Sequence, residues 1–97
     1  MAYKIIWSPE AEIRFDEIVD YLKSKWTERE IENFVKRVWQ VISIISENPF
    51  LYKYSREHDF YEAILTKHNL LLYRIKDQCI ELLTFFDTRQ HPKKKKG

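Results

Sequence analysis

Eight polar side chains in the second half of the chain could do chemistry together: Lys53, Tyr54, Arg56 and His58 in one stretch, then Arg74, Asp87, Arg89 and His91. Arg and Lys hold phosphate oxygens through charge-assisted hydrogen bonds, and His, Tyr or a carboxylate moves protons. Brought to one side of a sheet, such a set has the layout of metal-free RNA cleavage. The plainer reading is a rim of solvated charges with Arg74 and Asp87 as a surface ion pair, and spacing alone favours it.

Other chemistries are poorly supplied. The three histidines, at 58, 68 and 91, form no HxxxH pattern and have no carboxylate at ligand spacing, so no metal site is expected. Gly97 is the only glycine, which excludes a GxSxG elbow around any serine and every Gly-rich phosphate loop. Cys79 is the only cysteine; it can form no internal disulfide and reads as a small buried hydrophobe. No cofactor is implied. The carboxylates Glu10, Glu12, Asp16 and Glu17 fall on the wet face of a helix rather than in a cluster.

The elements that would position these groups follow from periodicity. Tyr3, Ile5 and Trp7 alternate as one face of a short strand, and Ser8-Pro9 starts a helix with a capping hydroxyl and a proline at the first turn. Ala11, Phe15, Ile18, Val19, Leu22 and Trp26 then form an apolar stripe. Thr27-Glu28-Arg29-Glu30 is a capping box opening a second helix, whose stripe is Ile31, Phe34, Val35, Val38, Ile42 and Ile45 with Val41 at the margin. Asn48-Pro49 ends it. So short a join makes the two helices a hairpin. Residues 50–59 show no clean period and read as a loop. Phe60–Leu65, Leu70–Lys76 and Cys79–Phe86 read as three strands, with Asp77-Gln78 as a turn between the last two. The expected fold is α+β, ordered β-α-α-β-β-β, with the hairpin packed on a small antiparallel sheet. One domain spans residues 1–92, and residues 93–97 form a basic tail.

Charge is uneven. Residues 1–49 carry seven Lys/Arg against nine Asp/Glu, and residues 50–97 carry ten against six. Four of those ten are Lys93 to Lys96, so the body without its tail is acidic. That is a poor footprint for a dedicated nucleic-acid binder. The only apolar stretch near the N-terminus, Ile5-Ile6-Trp7, is too short for a membrane span, and the cytoplasm is the expected compartment.

Four local signatures in this order of elements resemble the RelE/ParE superfamily of bacterial type II toxin–antitoxin systems. They are Ile5-Ile6-Trp7-Ser8-Pro9-Glu10-Ala11, Ile45-Ser46-Glu47-Asn48-Pro49, Leu72-Tyr73-Arg74-Ile75, and the closing run from Leu82 to Pro92. The resemblance covers residues 3 to 92 and favours the ParE side. It implies a small toxin of a plasmid-stabilising module, neutralised by a cognate antitoxin laid across its surface. ParE-like members are associated with poisoning DNA gyrase through protein–protein contact. RelE-like members instead enter the ribosome and cut mRNA without metal, and a degenerate, non-toxic member that only binds a partner is the third alternative.

Residue by residue, the nuclease set is partial. Arg74 matches the Arg of the YRI segment, which the whole superfamily shares. Arg89 and His91 lie where C-terminal catalytic residues are found, but Pro92 and lysines follow in place of an aromatic ending. The second-strand Arg of the nucleases is missing, that region reading Phe60-Tyr61-Glu62-Ala63. On the nuclease reading Arg74, Arg89 and His91 are catalytic and Lys53 and Arg56 hold phosphates; on the gyrase reading the C-terminal strand and tail, with Lys93 and Lys94, contact the target. Phe50, Tyr52 and Tyr54 are expected to form an antitoxin-docking surface, with closure of the core as the competing role.

Overall fold

The computed structural model describes residues 2–88. The elements are β1 (Lys4–Trp7), α1 (Pro9–Lys25), α2 (Glu28–Glu47), β2 (Lys53–Ser55), β3 (Phe60–Ile64), β4 (Asn69–Lys76) and β5 (Cys79–Asp87). Both helix starts follow the local chemistry. Ser8 Oγ accepts from the Ala11 N–H at 3.0 Å, and Thr27 and Glu30 close a reciprocal capping box. Ser8 Oγ also donates to the Leu83 carbonyl at 2.9 Å, so the cap of α1 is fastened to β5.

The sheet has the order β1-β5-β4-β3-β2. The helices carry the chain from one sheet edge to the other, and β2 to β5 return strand by strand until β5 slots beside β1. That pairing is parallel, whereas the other three are antiparallel, so the sheet is mixed. The α+β architecture and the hairpin agree with the sequence reading, with one strand more than it expects. Residues 53–55 pair with β3, where periodicity shows only a loop, because three mostly exposed residues are too few to display a period. The turn into β3 passes through Asp59 at φ 57° and the β4–β5 turn through Asp77 at φ 57°, left-handed positions that Asp tolerates.

Both helices cover one face of the sheet. Ala63, Leu71, Tyr73, Ile80, Leu82 and Phe85 point into it and meet Ala11, Ile18, Leu22, Phe34, Val38 and Ile45. Val41 is fully buried rather than marginal, while Trp26 has left the stripe: it caps α1 with extended backbone and is 44% exposed. Trp7, Phe15 and Phe85 stack within 5.6 Å of one another and close the core under β1. Cys79 is half-buried rather than buried, because position 79 alternates onto the open face between Lys4 and Lys76. Among the described residues no helix is long and apolar enough to cross a membrane.

Candidate functional site

The polar residues singled out by sequence are divided by the register of β4 and β5. Arg74 lies opposite Glu81, whereas Asp87 lies opposite Asn69 at the far end of the hairpin. Five residues of strand separate the two, about 16 Å at a rise of ~3.3 Å each. An Arg74–Asp87 ion pair is therefore ruled out, and Asp87 is not a rim charge at all, being 2% exposed. Arg89, His91, Lys93 and Lys94 lie outside the described residues.

Lys53, Tyr54, Arg56, His58 and Arg74 do gather at one end of the sheet. There Phe50, Tyr54, Asp59, Tyr61, Arg74 and Ile75 line a cleft of about 300 Å³. Tyr54 donates its hydroxyl to Asp59 Oδ1, and Arg74 Nε donates to the Asp59 carbonyl at 3.4 Å. Tyr54 sits 4.9 Å from Tyr61, which stacks on Tyr73 at 5.2 Å. Phe50 and Tyr54 are exposed at 61% and 45%, whereas Tyr52 packs partly against the core.

The chemistry available in this cleft is limited. The hydrogen bond to Asp59, helped by partial burial, raises the Tyr54 phenol above its ordinary range and keeps it protonated. Asp59 already accepts that proton donor. His58 is turned into its own turn, near Ser55 Oγ at 3.3 Å and stacked on Phe60 at 5.3 Å. Arg74 can hold an anion here, and the one carboxylate among the cleft's described lining residues, Asp59, is engaged through Oδ1 by the Tyr54 hydroxyl.

The open face of the sheet is the second surface. Alternation places Phe60, Glu62 and Ile64 of β3, Leu70, Leu72 and Arg74 of β4, and Glu81, Thr84 and Phe86 of β5 on it. Of its basic residues, Lys53 and Arg74 stand opposite acidic ones, Glu62 and Glu81, whereas Lys4 and Lys76 flank Cys79. Toward the β3–β4 turn the face is apolar, with Ile64 60% exposed.

Two contributors gave no sequence signal. Arg37 on α2 donates from Nε to the Leu65 carbonyl at 2.8 Å and from Nη2 to the Ile64 carbonyl at 3.3 Å, tying the helix to the end of β3. Asn69, of a type common in turns, is buried at the head of β4.

The helical hairpin on a short mixed sheet leaves a tyrosine-lined cleft at one end and an open sheet face. Over residues 5–92 the sequence matches the family described as "ParE toxin of type II toxin-antitoxin system, parDE", and the chain belongs to that family. No curated protein sequence matches it significantly. Its fold is that of a chain from the chromosomal ParDE system of P. aeruginosa, with a TM-score of 0.74 at 13% identity over 89% of this chain and 96% of the other. A YoeB/ParE toxin from Agrobacterium tumefaciens gives 0.66 at 13% identity over 87% and 96%. A chain of the RelBE2 toxin–antitoxin complex from Mycobacterium tuberculosis gives 0.60 at 18% identity over 90% and 99%.

Proposed function

We propose that this toxin acts in the cytoplasm by protein–protein contact, with DNA gyrase as its target, and that a cognate antitoxin neutralises it. The observation that carries the reading is the composition of the open sheet face. Where a ribosome-dependent nuclease needs cations for RNA phosphates, β3 offers Phe60, Glu62 and Ile64, and β4 and β5 offer Leu70, Leu72, Thr84 and Phe86, with Lys53 and Arg74 each set opposite a carboxylate. A surface of this kind suits a protein partner. On this reading the domain of residues 1–92 provides the face, and the basic tail at 93–97, with Lys93 and Lys94, adds a salt-sensitive contact. Phe50 and Tyr54 form the exposed part of an antitoxin-docking surface, and Tyr52 anchors it. Purified toxin is expected to slow gyrase supercoiling and to lose that effect when its antitoxin is added. Unchanged supercoiling, with undamaged DNA in cells expressing the toxin, overturns the gyrase reading.

A second reading has one observation in its favour: Arg74 lines a cleft beside a stack of tyrosines, where a nucleotide could sit. With Arg74, Arg89 and His91 as catalytic residues and Lys53 and Arg56 on phosphates, the toxin would be a ribosome-dependent mRNA endonuclease. Primer extension on cellular mRNA after induction separates the two, since in-frame cuts appear only on this second reading.

A further inference from the structure

We draw no further inference here: the strongest candidate, the apolar groove that Leu22, Trp26 and Phe34 line between the α1–α2 linker and the β3–β4 turn, carries nothing because nothing in the structure shows what covers it.

Discussion

Strand β4 turns two polar side chains into the same core, at positions 69 and 73, and satisfies only one of them. Tyr73 is fully buried, stacks on Tyr61 and donates its hydroxyl to the Pro49 carbonyl at 2.6 Å. That bond pins the segment after α2 to the centre of the sheet. Asn69 spends its oxygen on the neighbouring turn, and its buried Nδ2 has no partner among the described residues. One end of the strand is finished as structure, while the other retains an unmet bonding capacity. The difference teaches that polarity in a core is not a single category: a paired hydroxyl stabilises the fold, whereas an unpaired buried amide costs it free energy.

The comparison can be broken most forcefully at Tyr73. Tyr73→Ala is expected to cost about 3–5 kcal/mol, the range for deleting a buried aromatic ring, and urea unfolding measures it directly. Tyr73→Phe keeps the ring and loses only the bond to Pro49, with an expected cost of about 1–3 kcal/mol for the buried carbonyl left unpaired. It also has a pH signature. Burial, with Tyr52 and Tyr61 nearby, pushes the Tyr73 phenol well above its usual range. The folded state therefore keeps its proton where the unfolded chain loses it, above a pH of about 10. This contribution to stability is complete below that pH and is lost as the pH rises past it, so Tyr73→Phe should flatten the alkaline fall of stability. The smallest effect is expected at Asn69→Leu, where losing the Thr66 bond is offset by removing an unpaired buried donor. Its stability should stay within about 1 kcal/mol of the parent, and a loss as large as that of Tyr73→Phe would erase the distinction between the two ends.

Sequence legibility followed the same division. Ser8-Pro9 and the Thr27–Glu30 box are local chemistry, and both helices begin where those residues require. The strands β3 to β5 were legible because apolar and β-favouring runs are long enough to show. The edge strand at 53–55 was too short, and the parallel seat of β1 depends on a partner 75 residues away, as in the Ser8–Leu83 bond. The candidate site was harder to read. Lys53, Tyr54, His58 and Arg74 do share one end of the sheet, but register carries Asp87 to the other, and no spacing rule reveals register across a turn. Asn69 escaped notice because its residue type is ordinary in turns and only burial makes it exceptional.

The parallel pairing of β1 with β5 has a consequence for folding. Among the described residues, β1 finds its neighbour in β5, with both helices and three other strands between them in the chain. Until β5 takes its place, β1 has no strand partner, the Ser8 hydroxyl lacks its distant acceptor, and Trp7 lacks the Phe85 ring. Closure of this edge involves contacts of high sequence separation, the kind that form slowly. The sheet is therefore completed late in folding, because the strand that joins β1 is separated from it in the chain by every other described element.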